Sequence, residues 1–161
     1  MKKTTQGFTL IELLVVIAII GILSSIVIAS LNSARTRGAD SAVKGQLAQV
    51  RTQAELYYDA NQSYATVASP ATNCAVSITG TNVTQTGTSV DATCMFRNPA
   101  ILQQMTQIAA NVSVAVIGNV SATGQQWAVS TTLRGGKQYC VDNSGNNKEQ
   151  TTTAAVAGVC S

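Results

Sequence analysis

One carboxylate, Glu12, stands at the beginning of a long apolar segment. The 22 residues from Leu13 to Ala34 carry no charge. At about 1.5 Å per residue, a helix of this length covers roughly 33 Å, enough to cross a bilayer core. A carboxylate at the centre of a membrane costs about 2.5 to 3.5 kcal/mol on insertion scales, and less near the interface. Glu12 is therefore a candidate functional residue, and the alternative is an ordinary anchor with Glu12 among the headgroups.

Four cysteines lie in the polar part of the chain, which indicates oxidation outside the cytoplasm. Four cysteines allow three pairings. The simplest pairing joins sequence neighbours, Cys74 with Cys94 and Cys140 with Cys160, and each bridge then encloses 19 residues. A bridge of that size contributes about 3 kcal/mol in the chain-entropy treatment. The competing interpretation, a four-thiolate zinc site, lacks a CxxC-like pair.

Side chains with oxygen atoms are closely spaced in the segment 142–147. A calcium site there would use Asp142, Asn143 and Asn146. The segment lacks the downstream geometry of an EF-hand, so a plain turn is the favoured interpretation. Histidine is absent from the chain and its carboxylates do not cluster. We therefore expect no cofactor, no other metal site and no enzymatic activity.

Charge is sparse, at 11% of the residues. Without Lys2 and Lys3, eight basic side chains remain against seven acidic ones, a net charge of +1. This balance gives no general case for nucleic-acid binding. Arg134 and Lys137 flank a Gly135-Gly136 turn and are the best exposed cations for contacting DNA or an anionic surface. A solvated hairpin tip is the alternative, so nucleic acid stays an open partner.

A single long helix is predicted to position Glu12. Proline is absent from the first 69 residues. The helix should run from about Thr9 to Asp59, with Asp40 beside Lys44 and Arg51 beside Glu55 as surface pairs four residues apart. Beyond the apolar segment, apolar residues recur at intervals of three and four and form a stripe on one face. The stripe consists of Ala39, Val43, Leu47, Val50, Ala54 and Tyr57.

After Tyr58 the composition changes to small and polar residues, which predicts loops and short strands. Residues 66–97 are expected to form a low-charge connection. A short helix is predicted at 100–110, with Pro99 in its first turn. Probable strands lie at 112–117, 126–133 and 138–141, with the Gly135-Gly136 hairpin turn between the last two. Trp127 is interpreted as an anchor of the core.

The N-terminal sequence Gln6-Gly7-Phe8-Thr9-Leu10-Ile11-Glu12, followed by 14 apolar or small residues, resembles the leader and first helix of type IV pilins and pseudopilins. The resemblance implies that a prepilin peptidase cuts after Gly7 and methylates Phe8. It also implies that Glu12 attracts the N-terminal amine of Phe8 in a neighbouring subunit during assembly. Opposite charges attract strongly at low dielectric, so this role is physically sound.

An ordinary secretory signal peptide is a rival interpretation of the N-terminus. It fits less well, because the apolar segment is longer than the roughly 7 to 15 residues of such a signal. A charge also precedes the apolar segment, inside the zone that a signal peptide keeps apolar. The positive-inside rule does not orient the segment, so the resemblance alone places the leader in the cytoplasm.

The fold that the resemblance implies is α+β. A long N-terminal helix, with its hydrophobic half protruding, packs by its C-terminal half on a small antiparallel β-sheet. The expected domains are a leader peptide at 1–7, a transmembrane and filament-core helix at 8–34, an amphipathic continuation of the helix at 35–60, and a C-terminal globular domain at 61–161. The last domain should contain the αβ-loop, the antiparallel sheet and a disulfide loop.

The function that the resemblance implies is that of a structural subunit of a type IV pilus, polymerised through its N-terminal helix and serving adhesion, motility or DNA uptake. Its partners would be further copies in a helical filament, prepilin peptidase, the pilus assembly platform in the inner membrane, and membrane lipid before assembly. It would be a single-pass membrane protein first and a surface pilus afterwards. A pseudopilin of a type II secretion or competence system is one alternative. A monomeric membrane-anchored binding module is another.

Overall fold

The computed structural model describes residues 7–65, 74–86, 94–112, 114–150 and 159–160. The chain divides into two compact units, one ending at Thr36 and the other beginning at Arg37. The helices are α1 (Leu10–Asn61), a short 3-10 turn (Met95–Arg97) and α2 (Pro99–Asn111). The strands are β1 (Ala75–Thr79), β2 (Asn82–Thr86), β3 (Val116–Val120), β4 (Trp127–Thr132), β5 (Gln138–Asp142) and β6 (Asn147–Gln150). This combination of a long helix and one antiparallel sheet is the α+β fold that the sequence predicts.

The first unit contains the apolar part of α1. Its large apolar side chains, from Phe8 to Leu31, are 46% to 85% exposed. The helix is long and apolar enough to cross a membrane, judged by length and composition. Contiguous apolar surface of this size marks a contact with lipid or with protein. Among the described residues, this part of α1 is therefore a candidate contact surface for lipid or protein.

The second unit uses the predicted stripe of α1 as one wall of its core. Val43, Leu47, Val50 and Ala54 are buried, and Tyr57 packs against the same cluster. These positions recur at the helical spacing, so one face of α1 carries them all. The stripe was predicted correctly.

The polar residues beside the stripe do not form the predicted pairs four residues apart. The Asp40 carboxylate accepts hydrogen bonds from backbone N–H groups of the β4–β5 turn, and Lys44 pairs with Glu149 on β6. Arg51 donates to the carbonyl oxygen of Asp142 at 2.7 Å. Each of these side chains points toward the sheet, because a backbone or charged partner there is within reach of the packed helix. The prediction of surface pairs was wrong.

Within the described ranges, the sheet has six strands in the order β2-β1-β3-β4-β5-β6, with every neighbouring pair antiparallel. The predictions at 112–117, 126–133 and 138–141 correspond to β3, β4 and β5, and β3 starts and ends later than expected. The segment 66–97 was predicted as a connection, but its described part contains the β1–β2 hairpin and the 3-10 turn. Strand β6 was not predicted.

Both faces of β4 are covered by buried residues. Trp127 and Val129 lie in the main cluster with α1 and α2, and the Trp127 ring is fully buried. On the opposite face, Ala128 packs with Cys140 and Cys160. Trp127 is thus an anchor of the core, as predicted.

Helix α2 begins as the sequence predicts. The side chain of Asn98 caps it by accepting a hydrogen bond from the backbone N–H of Ala100 at 2.9 Å, and Pro99 occupies the first turn. Proline fits there because its missing N–H would have no partner inside the helix. The buried face of α2 consists of Ile101, Met105, Ile108 and Ala109.

Candidate functional site

Thr9 and Glu12 close the first turn of α1 through reciprocal hydrogen bonds. The backbone N–H and the hydroxyl of Thr9 both donate to Oε2 of Glu12, at 2.8 and 2.7 Å. The backbone N–H of Glu12 donates in return to the Thr9 hydroxyl, at 3.3 Å. This is a capping box, in which two otherwise unpaired N–H groups of a helix start are satisfied. Glu12 therefore has a role within its own chain.

The carboxylate of Glu12 keeps acceptor capacity for another donor. Within the described part of the chain, its hydrogen bonds all end on Oε2. An ionised carboxylate has about four lone-pair sites on its two oxygens, so Oε1 can accept from an outside group. The helix start also favours a negative charge, because the unpaired N–H groups there carry partial positive charge. The site can hold a cation or an amine without giving up the cap.

Gly7 and Phe8 lie immediately before this cap. The Phe8 side chain is 85% exposed, and a Cβ atom placed on Gly7 would meet nothing within 4 Å. Cleavage between these residues would turn the backbone nitrogen of Phe8 into an amine one residue from Thr9. The structure thus brings Gly7, Phe8 and Glu12 together at one end of α1.

The cysteines are joined as sequence neighbours, Cys74 to Cys94 and Cys140 to Cys160. The first bridge connects the residue before β1 to the residue before the 3-10 turn. The second connects β5 to the described end of the chain. Both bridges lie inside the second unit and have a structural role.

Asp142 organises the turn between β5 and β6. Its carboxylate accepts hydrogen bonds from the backbone and hydroxyl of Ser144, from the backbone and amide of Asn146, and from the backbone N–H of Cys160. Burial raises the pKa of the carboxyl group, but these donors outweigh burial and leave the pKa below its usual value. Asn143, the third residue of the calcium candidate, donates instead to the carbonyl oxygen of Gln125. The geometry favours the plain turn, since a calcium ion would have to displace these donors.

Comparison with known proteins supports the interpretation of the N-terminus. Residues 2–28 match the family described as the prokaryotic N-terminal methylation motif. The chain is 39% identical over 82 residues to the type IV wide pilus major component PilA4 of Thermus thermophilus, a match covering 51% of this chain and 63% of that protein. It is 46% identical over 55 residues to the type IV major fimbrial protein FimA of Dichelobacter nodosus, covering 34% of this chain and 35% of that protein.

Over the matched residues, the chain is similar to type IV pilins. It spans less than two thirds of the length of these relatives. No solved structure matches it significantly. The names of these two relatives describe a major pilus component and a major fimbrial protein.

The two cations singled out for nucleic-acid binding have partners within the chain. Arg134 donates through its Nε to the carbonyl oxygen of Asn111 at 2.8 Å. Lys137 pairs with Glu149 at 2.8 Å. They flank the expected turn, where Gly136 has a φ of 84° and its N–H donates to the carbonyl oxygen of Leu133. This geometry favours the hairpin interpretation over a free basic patch.

Two features of the structure were not predicted from the sequence. The capping box could have been found, because Thr-x-x-Glu before an apolar segment is its known signature. The pairing of Glu149 with Lys44 could not, because these residues are 105 positions apart. Only the fold brings α1 beside β6.

Proposed function

We propose that this protein is a structural subunit of a type IV pilus, and that it polymerises through the apolar part of α1. One observation carries the proposal, namely a helix whose apolar side chains from Phe8 to Leu31 are uncovered and whose only acidic side chain in that part is Glu12. Lipid covers such a helix before assembly, and copies of the same helix cover it afterwards. The domain boundaries at 1–7, 8–34, 35–60 and 61–161 are part of this proposal.

Processing comes before assembly in this scheme. A prepilin peptidase cuts after Gly7 and methylates Phe8, and the exposure of both residues is compatible with such access. The new amine of Phe8 is positively charged. In an apolar filament interior, an unpaired amine and an unpaired carboxylate would each carry a desolvation cost of several kcal/mol, as buried unpaired charges do in general. Pairing them removes both costs at once.

Glu12 pairs with the amine of a neighbouring subunit through Oε1 while Oε2 keeps the cap with Thr9. The arrangement selects the axial position of the incoming subunit, because only one stagger brings an amine to this carboxylate. The apolar side chains supply the bulk of the association, and the charge pair sets the register.

Three aspects of the biological role belong to the same proposal. The relatives are named as a major pilus component and major fimbrial proteins, which favours a pilus over a secretion or competence pseudopilus. The filament is extruded by an assembly platform in the inner membrane and reaches the cell surface. There it serves adhesion, motility or DNA uptake.

The test separates the charge of Glu12 from its cap. Glu12→Gln preserves the capping box, in which glutamine substitutes for glutamate, but removes the charge. Thr9→Ala weakens the cap and preserves the charge. We expect Glu12→Gln to insert into the membrane normally and to lower the yield of sheared filaments at least tenfold. We expect Thr9→Ala to give a higher filament yield than Glu12→Gln. Asp59→Asn, which removes an exposed carboxylate elsewhere on α1, is the matched control.

Intact mass decides the processing step. The proposal requires loss of residues 1–7 and one added methyl group, and a Gly7 substitution should block both. A protein that retains residues 1–7 and no methyl group, and that stays monomeric in the membrane, would support the membrane-anchored binding module instead. Normal filament yield from Glu12→Gln would contradict the assembly role of the charge.

A further inference from the structure

The described sheet has two edge strands of opposite character. Strand β2, Asn82–Thr86, pairs only with β1, and strand β6, Asn147–Gln150, pairs only with β5. Strand β6 carries Lys148 and Glu149, and charges on an edge discourage pairing with another strand. Strand β2 has neither a charge nor a proline. Among the described residues it is therefore the edge without such protection, and we call it the β2 edge.

Within the described part of the chain, the β2 edge pairs with β1 on one side and has no strand on the other. The side chains of Asn82, Val83, Thr84 and Gln85 are all exposed. Val83 is 39% exposed and, with the outer face of α2, borders an open groove of about 570 Å³. The helix contributes Pro99, Leu102, Thr106 and Ala110 to the groove. Both a backbone template and an adjoining apolar surface are thus present.

We propose that the β2 edge pairs in antiparallel fashion with the β2 edge of a second copy of the chain. An added strand forms main-chain hydrogen bonds, and its alternate side chains reach the neighbouring surface. The edge suits itself as partner, because it has no like charges to bring face to face. A two-fold axis at Thr84, the middle residue of the strand, uses all five residues of both copies. It places Val83 opposite Gln85 of the partner copy.

This pairing joins neighbouring filaments. Subunits within one filament are related by helical symmetry, which does not generate the two-fold contact that the pairing needs. A pair of five-residue strands is marginal in isolation, since even a lone two-stranded hairpin is barely stable in water. Two filaments repeat the contact many times, and such multivalency strengthens it by about 10² to 10⁴-fold. Because the contact is repeated only between assembled filaments, the inference rests on the proposed function.

The test is a site-specific cross-link. Directly opposite residues of an antiparallel pair lie about 4.5 to 5.5 Å apart at Cα, within the range that a disulfide spans. Thr84→Cys should therefore give disulfide-linked dimers of the full chain on oxidation, read on a non-reducing gel. Asn147→Cys, also exposed on an edge strand, is the matched control and should stay monomeric. Monomers from both variants, or dimers in equal amount from both, would overturn the proposal.

A second pair of variants tests whether the pairing of β2 edges causes lateral bundling of filaments. Thr84→Lys should leave the number of sheared filaments unchanged and reduce their lateral bundling at least fivefold in electron micrographs. Asn147→Lys adds the same charge to the opposite edge and should bundle like the parent protein. Unchanged bundling of Thr84→Lys would overturn the inference, whereas absence of filaments from the parent protein would overturn the proposed function. Because a disulfide traps even a short-lived contact, the Thr84→Cys cross-link can also be read on membranes, and it decides the inference in either case.

Discussion

The carboxylate of Asp142 accepts a hydrogen bond from the backbone N–H of Cys160 at 3.2 Å. Cys160 is also bonded through its sulfur to Cys140, two residues before Asp142 on the same strand. The described end of the chain is therefore held to β5 by one covalent link and one charge-assisted hydrogen bond. Asp142 also holds the β5–β6 turn, so one buried carboxylate connects the turn, the strand and the chain end.

Asp142→Ala should lower the free energy of unfolding of the second unit by about 3 kcal/mol, because it leaves several N–H groups without their acceptor. Hydrogen bonds to charged groups are worth about 1.5 to 3 kcal/mol each. Fluorescence of Trp127, the single tryptophan, reports unfolding of the full chain in detergent with its disulfides intact. The exposed control Asn147→Ala should change stability by less than about 0.5 kcal/mol. Equal stability of the two variants would show that the Asp142 network contributes nothing.

Acid should weaken the contact between α1 and β6. Hydrogen bonds from Lys137 and Lys44 lower the pKa of Glu149 to about 2 from 4.5. Because the pKa of Glu149 is lower in the folded than in the unfolded chain, its stabilisation of the fold is complete above the pKa of the unfolded chain. This stabilisation is lost as the pH falls from about 4.5 to about 2. Glu149→Gln should be less stable than the parent at neutral pH, with a smaller loss between these pH values. Denaturant midpoints from pH 7 downward measure this, and identical acid profiles would exclude Glu149 as a source of acid sensitivity.

Alkali should act through Tyr64. Burial, and then its hydrogen bond to Glu55, raises the pKa of the Tyr64 hydroxyl from 10 to about 12. The unfolded chain then loses this proton first, so stability falls as the pH rises from about 10 through about 12, by no more than about 3 kcal/mol. Tyr64→Phe should reduce this slope. Tyr58→Phe, which removes a hydroxyl that donates to Gln125, is the control and should retain most of the slope, because Tyr58 is the smallest contributor to the raised pKa of Tyr64.

The same substitution should have opposite effects at two glycines. A Cβ atom on Gly118 would lie 2.6 Å from the Phe96 ring in the core, so Gly118→Ala should destabilise by about 1 to 3 kcal/mol. Gly45 lies in α1 with open space around it, so Gly45→Ala should stabilise by up to about 1 kcal/mol. Thermal unfolding of both variants measures the difference. A stable Gly118→Ala variant would mean that Phe96 can move aside.

The long helix and its stripe were predictable, because apolar side chains at helical spacing indicate an amphipathic helix whatever that helix packs against. Strand β6 was not predictable in the same way. Its sequence is polar and charged. It forms a strand because it pairs with β5 and because Glu149 forms ion pairs with Lys44 and Lys137. Tertiary contacts, which a linear pattern does not display, decide its conformation.

The β1–β2 hairpin carried a signal that was overlooked. Val76 and Ile78 alternate with polar residues and are buried, and Gly80 follows with a φ of 59° in the turn before β2. Alternation followed by a glycine turn is typical of a hairpin. The polar composition of the surrounding segment concealed it. At the candidate site, Glu12 was identified for its charge, whereas its cap was overlooked.

The box formed by Thr9 and Glu12 lies entirely on the C-terminal side of the Gly7–Phe8 bond. Hydrolysis of that bond removes no atom on which the first turn depends. Under the proposed processing, the first turn of the helix keeps every hydrogen bond of its cap. The proposed cleavage would then change the charge at the end of a helix whose first turn is already closed.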